Sequence, residues 1–228
     1  MKRLYSQSTP DEPQLHIDGY IHLKNIIDIS VNIYNEIVRQ ADKKAKPIFN
    51  HHETRVKNDM KRKQTNISTN KKEFISTINN YLTQNVNRNL SISPWVVIKS
   101  LRGCGDQASH QDFIPTQDLL NVDDEFMPLA VLIALMPNTK IHVWPKSINI
   151  HKSNKSNNLK PIKRLTVTMD EGDLFIFRAD CVHAGSSYDI ENYRLHAYMD
   201  SPHVLRDPNR TYLINRHADE KIRKTIIT

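Results

Sequence analysis

Arg194-Leu195-His196-Ala197-Tyr198-Met199 is the stretch on which the reading of this chain turns. On extended backbone its side chains alternate, so Leu195, Ala197 and Met199 share one face and Arg194, His196 and Tyr198 the other. The first face suits a hydrophobic core. The second is costly inside a small β-structure unless it binds something. Upstream, similar runs come in series: Trp95 to Ile98 ending at Arg102-Gly103, Leu129 to Met136, Lys140 to Trp144, Arg164 to Met169 and Asp173 to Arg178. Turn signals separate them at Pro137-Asn138, the Lys/Asn/Ser-rich 151–160, Glu171-Gly172-Asp173 and Gly185-Ser186-Ser187. Short, regularly spaced strands without helices between them predict a sandwich or barrel.

The N-terminal part reads differently. Ile26, Ile27, Ile29, Ile33, Tyr34, Ile37 and Val38 recur at helical spacing and predict an amphipathic helix over about 24–42. A polar, basic stretch follows to about 70, and Phe74, Ile75, Ile78, Tyr81 and Leu82 predict a second helix over about 71–84. The expected chain is mainly β with N-terminal helices. A flexible terminus over 1–15 precedes one domain over 16–228, divided into a helical part to about 93, a β core to about 205 and a C-terminal extension over 206–228.

The 228 residues hold 32 Lys and Arg against 25 Asp and Glu, a net charge of +7, with 38% apolar residues, enough for a packed core. Two Cys are too few to staple such a chain and point to a reducing, intracellular compartment, the cytoplasm. No apolar run follows the basic start, so no secretory signal is expected. The longest apolar stretch, Met127 to Pro137, is roughly half of what a bilayer requires, so no membrane insertion is expected. The charge is concentrated: residues 43–72 carry a net +8 and 146–164 a net +6, leaving the rest at −7. Such runs are either solvated loops or basic lips for an acidic partner, nucleic acid included.

His-x-Asp is expected by chance about once in a chain with 11 His, and occurs three times, at His16, His110 and His217. A facial triad of two His and one carboxylate, which suits Fe(II), needs two ligands pointing the same way from one strand end and a second His from a distant strand. His110 and Asp112 follow a strand and a Gly103-Cys104-Gly105 turn, and His183 ends the apolar run Gly172 to Phe177, just before Ala184-Gly185. His217 has no His after it, and His16 lies where no sheet is expected.

The sequence resembles the Fe(II)- and 2-oxoglutarate-dependent dioxygenases, most closely the phytanoyl-CoA hydroxylase-like branch. The resemblance covers about residues 16–200, through Asp18-Gly19-Tyr20, Gln107, His110-x-Asp112, Pro128 to Leu135, Trp144-Pro145-Lys146-Ser147, Gly172 to Phe177, His183-Ala184-Gly185 and Arg194. It implies a double-stranded β-helix, a jelly-roll barrel flanked by helices, with iron on His110, Asp112 and His183. Arg194 would pair with the distal carboxylate of 2-oxoglutarate, and O₂ would be consumed with release of succinate and CO₂ as a substrate is hydroxylated or demethylated. One departure stands out: two residues after the Arg, the branch often has a small hydroxyl residue, and this chain has His196. Tyr198, on the same face, is the replacement hydroxyl expected at the oxoacid. Gln107 either lines the oxoacid pocket or orders the loop before His110. Trp144 and Lys146 are the candidate substrate contacts. Arg194 has a structural alternative, an ion pair closing the barrel, and Cys181 is expected to be buried and inert. Two other functions compete: a nucleic-acid-acting oxygenase using both basic segments as phosphate contacts, and a non-catalytic β-helix binding module.

Overall fold

The computed structural model describes residues 12–48, 59–67, 72–150, 162–207 and 211–214. Most of the expected flexible terminus and C-terminal extension, and parts of both basic segments, lie outside these residues. Two antiparallel sheets face each other. The larger runs in the order β1 (Tyr20–Leu23), β10 (Leu174–Arg178), β7 (Leu129–Ala134), β12 (Asn192–Asp200), β5 (Val96–Ser100), β3 (Arg62–Asn66) and β2 (Lys46–Pro47), and β4 (Ser91–Ile92) also pairs with β12. The smaller runs β13 (Tyr212–Leu213), β6 (His110–Gln111), β11 (His183–Gly185), β8 (Thr139–Val143) and β9 (Leu165–Met169). Helices α2 (Val31–Lys44) and α3 (Lys72–Asn85) cover the outer face of the large sheet, while α1 (Leu15–Asp18) and α4 (Gln117–Asn121) are about one turn each.

The alternation in β7 explains this layering. Leu129, Val131 and Ile133 pack outward in one cluster with Val97, Leu195, Ile37, Ile78 and Leu82, while Ala130, Leu132 and Ala134 pack inward with Ile141, Val143, Phe175 and Phe177. A strand buried on both faces has no polar side, hence its unbroken apolar sequence. Ile37, Ile78 and Leu82 are at most 1% exposed, and burying each contributes about 1.5–3 kcal/mol. That burial holds the helices on the sheet. The remaining face of the large sheet, opposite the small one, is free to build a cavity.

The expected strands are found with small shifts of boundary, and the second helix is found over Lys72–Asn85. The first is shorter than its periodicity suggests. It begins at Val31 and is capped by Ser30, whose Oγ accepts from the Ile33 amide. Asn25 has a φ of 52°, and the Ile26 and Ile27 amides both donate to the Gly172 carbonyl. Ile27 and Ile29 reach the core from a loop, which imitates a helical stripe. The N-terminal part also contains β1–β4, so it is not purely helical. The polar stretch before residue 70 hides β3, whose Arg62 is fully buried and donates through Nη2 to the Gly105 and Ser186 carbonyls. No helix among the described residues is long and apolar enough to cross a membrane.

Candidate metal centre

His110 sits on β6 and His183 opposite it on β11, as direct cross-strand partners with ring centroids 4.4 Å apart. Asp112 follows two residues after His110, so its side chain returns to the same side. Its Oδ1 lies 3.7 Å from His110 Nε2 and 3.5 Å from His183 Nε2. One ligand atom from each of the three lies within 4.8 Å of the others, and all three residues are buried.

The imidazoles are oriented from behind. His110 Nδ1 lies 2.8 Å from the Ala108 carbonyl and His183 Nδ1 3.2 Å from that of Cys181. A carbonyl only accepts, so each Nδ1 carries the proton and each Nε2 turns its lone pair inward, a tautomer assigned from this network. Burial, followed by the proximity of His183, lowers the His110 pKa to about 4. Burial alone would raise the Asp112 carboxyl, but His183, His110 and His196 around it hold it well below the usual carboxylate range. Two imidazoles that turn Nε2 inward and an ionised carboxylate around one point are a donor set that fits a divalent metal such as Fe(II).

The supports come from several elements. Ile214, next to β13, exchanges two hydrogen bonds with Ser109 at 2.9 and 3.0 Å, bracing the strand that carries His110. Arg178 forks onto Asp180 at 2.9 and 3.0 Å, and Gln111 donates to the Asp180 carbonyl, fixing the loop ahead of His183. Cys181 in that loop is buried, which pushes its thiol up and leaves it inert.

The triad opens into a cavity of about 740 Å³ that Gln107, Arg194, His196 and Tyr198 also line. Arg194 is buried. Its Nη1 donates to Ser100 Oγ at 2.9 Å and to Asn192 Oδ1 at 3.4 Å. Among the described residues it forms no ion pair, so it does not close the barrel against an acid. Gln107 lines the cavity and also clamps the loop before His110: its side-chain Oε1 accepts from the Gly185 amide at 2.8 Å and its backbone N–H donates to the Gly185 carbonyl at 2.9 Å. Tyr198 is turned to Asp112, whose charge adds to burial in raising the phenol well above its ordinary value. His196 Nε2 stands 4.0 Å from the outer Asp112 oxygen, Oδ2.

Trp144 and Lys146 are not brought to this cavity. Trp144 packs with Ile150, Val182 and Ile214, and Lys146 lines a separate hollow with Asp18, Tyr20 and Lys163. Sequence reasoning missed two wall elements, β2 and β3, which supply Lys46, Gln64 and Asn66. They are polar and short, and carry no alternation by which to find them.

No family model and no curated protein matches the sequence. Solved structures do. SnoK, a non-heme alpha ketoglutarate dependent carbocyclase from nogalamycin biosynthesis, superimposes with a TM-score of 0.58 at 14% identity over 82% of this chain and 81% of that one. The epimerase SnoN, in complex with Fe3+, alpha ketoglutarate and nogalamycin RO, gives 0.54 at 17% over 88% and 92%. A prolyl hydroxylase from Trichoplax adhaerens, in complex with a hypoxia inducible factor peptide fragment, gives 0.58 at 14% over 82% and 86%. The chain is a double-stranded β-helix. Its eight barrel strands are β5 to β12, alternating between the two sheets in the order large, small, large, small, small, large, small, large. In that barrel the proposed ligands stand at the near end of β6 and on β11, and Arg194 lies near the start of the last strand.

Proposed function

We propose that the chain is an Fe(II)- and 2-oxoglutarate-dependent dioxygenase that hydroxylates, or oxidatively demethylates, a substrate entering the 740 Å³ cavity. The observation that carries this is the meeting, in one cavity, of a His110-Asp112-His183 cluster with a buried Arg194 that has no carboxylate partner among the described residues. A buried guanidinium without a counter-ion is expensive, and a dicarboxylate supplies one. The fold shared with alpha ketoglutarate dependent enzymes supports the same reading, and the ordered motifs favour the phytanoyl-CoA hydroxylase-like branch.

When bound, the metal and the oxoacid supply O₂ activation coupled to oxidative decarboxylation, with succinate and CO₂ as products. The chain supplies the geometry. His110 and His183 would give Nε2, and Asp112 would give Oδ1, leaving Oδ2 toward His196, with Tyr198 also facing the Asp112 carboxylate. Ser100 and Asn192 hold one edge of the Arg194 guanidinium, so the rest faces the cavity as a two-pronged donor for the distal carboxylate. Leu132, Ile141 and Phe177 form an apolar wall beside the triad that keeps water out. Fe(II)-dependent release of succinate from 2-oxoglutarate, lost in His183→Ala, tests the proposal. Absence of succinate from the wild type across a panel of substrates would favour a non-catalytic binding module instead.

A further inference from the structure

The cavity extends beyond the part that the triad and Arg194 occupy, and its outer wall has a chemistry of its own. Strand register shows how. Arg194 is paired with Ile98, Ile98 with Gln64, and Gln64 with Lys46 on the edge strand β2. Directly opposed residues on antiparallel strands share a face, so Lys46, Gln64 and Ile98 form one row with Arg194, and all four line the cavity. The next row on that face, Asn66, Val96 and His196, lines it too. The rows on either side of the Arg194 row point the other way: Val97 and Leu195, between the two cavity rows, pack into the outer core, and Lys99 and Tyr193, beyond the first, meet Asp42 of α2 on the outer side. Three strand spacings put Lys46 about 14 Å from Arg194 across the sheet. That separation exceeds what one oxoacid bridges.

Lys44, at the end of α2, lines the same outer wall. Neither Lys44 nor Lys46 forms an ion pair among the described residues, whereas Arg206, which also lines the cavity, is forked onto Asp200 at 2.8 and 3.1 Å. The outer wall therefore presents two ammonium groups, without an ion pair among the described residues, beside the amides of Gln64 and Asn66, and the Asp207 carboxylate lines the cavity with them.

Building on the oxygenase reading, we propose that the substrate is a small anionic molecule whose carboxylate or phosphate group is held by Lys44 and Lys46, with its polar body along Gln64 and Asn66. The anion would anchor one end of the substrate at the edge of the sheet and leave the other end over the triad. Nucleic acid fits less well. Lys44 and Lys46 are exposed at the rim of this cavity, but Lys146 and Lys163 of the second basic segment line the other hollow, so the two basic segments do not share one site.

The test uses the full chain loaded with Ni(II) and 2-oxoglutarate, which does not turn over, titrated calorimetrically at low salt with inorganic pyrophosphate in one arm and tricarballylate in the other. Lys44→Glu/Lys46→Glu is expected to weaken at least one of the two by about tenfold, and Lys46→Arg to stay within about twofold of the wild type. The arm that responds identifies phosphate or carboxylate. The visible band of the anaerobic Fe(II)–oxoacid complex is recorded for the same proteins. Equal affinities in wild type and double variant, with the band present, overturn the anionic substrate and leave the oxygenase standing. A wild type without the band overturns both. Tighter binding of a single-stranded oligonucleotide than of either small anion, with a steep salt dependence, overturns the small-molecule form.

Discussion

Gly185→Ala probes the clamp between the two strands that bring the proposed ligands together. Gly185 is buried at the end of β11, and a Cβ there would stand 2.5 Å from Gln107 Oε1 and 3.1 Å from Arg62 Nε. The amide end of Gln107 can rotate away, but only by giving up the 2.8 Å bond it accepts from the Gly185 amide. Leaving that buried N–H unpaired costs about 1–3 kcal/mol. A less flexible unfolded chain returns about 0.4–1 kcal/mol. The net cost of about 1–2 kcal/mol lowers Tm by about 2–8 °C for a chain of this size. Gln107→Ala loses the same bond without the clash. The double variant loses it only once, so urea unfolding at constant m should show the double cost below the sum of the singles by about 1 kcal/mol. His110 follows Gln107 by three residues, so Gly185→Ala should also weaken Co(II) binding by about tenfold. Costs that add to within about 0.5 kcal/mol would refute the clamp.

Three further outcomes are expected. Burial would raise the Asp106 carboxyl, but the His142 ring 3.0 Å away and the bond it accepts from the Ser187 amide lower it to about 2; because the folded value lies below the unfolded one, this contribution is complete above about pH 4 and fades as pH falls toward 2. Asp106→Asn should therefore flatten the acid limb of a stability–pH curve, and an unchanged slope would count against the His142–Asp106 pair. Gly172 has a φ of +82°, and its Cβ would collide with the Ile27 backbone carbonyl, so Gly172→Ala should cost about 2–4 kcal/mol by urea unfolding, and a cost under about 1 kcal/mol would be inconsistent with that packing. Arg194→Lys replaces a two-pronged donor by a point charge and should raise the 2-oxoglutarate concentration needed for half-saturation by about tenfold in a succinate assay, with an unchanged value excluding Arg194 as the carboxylate partner.

The β core was legible because strands such as Leu129–Ala134 and Leu174–Arg178 are buried on both faces and so read as unbroken apolar runs. The meeting of His110, Asp112 and His183 was legible through i, i+2 spacing and motif order. What escaped notice lies where polar residues build structure. β3 has the sequence Arg-Lys-Gln-Thr-Asn, and its place in the sheet depends on partners from β2 and β5 rather than on its own pattern. The loop carrying Ile27 and Ile29 imitated a helix because a left-handed Asn25 and the Gly172 carbonyl, invisible to periodicity, decide its path. Trp144 and Lys146 adjoin β8, but Lys146 has a φ of 64° and the chain there turns from the triad cavity toward Asp18. Tyr198 shares the expected face with Arg194, yet adjacency along a strand did not reveal that Asp112 lies within its reach.

The central claim, that His110, Asp112 and His183 hold Fe(II) in a cavity where Arg194 receives 2-oxoglutarate, is tested most directly by the visible absorption of the anaerobic protein. Adding Fe(II) and then 2-oxoglutarate should produce a metal-to-ligand charge-transfer band in the wild type that His183→Ala lacks. A wild type without the band, or a His183→Ala protein that shows it at full strength, would contradict the assignment.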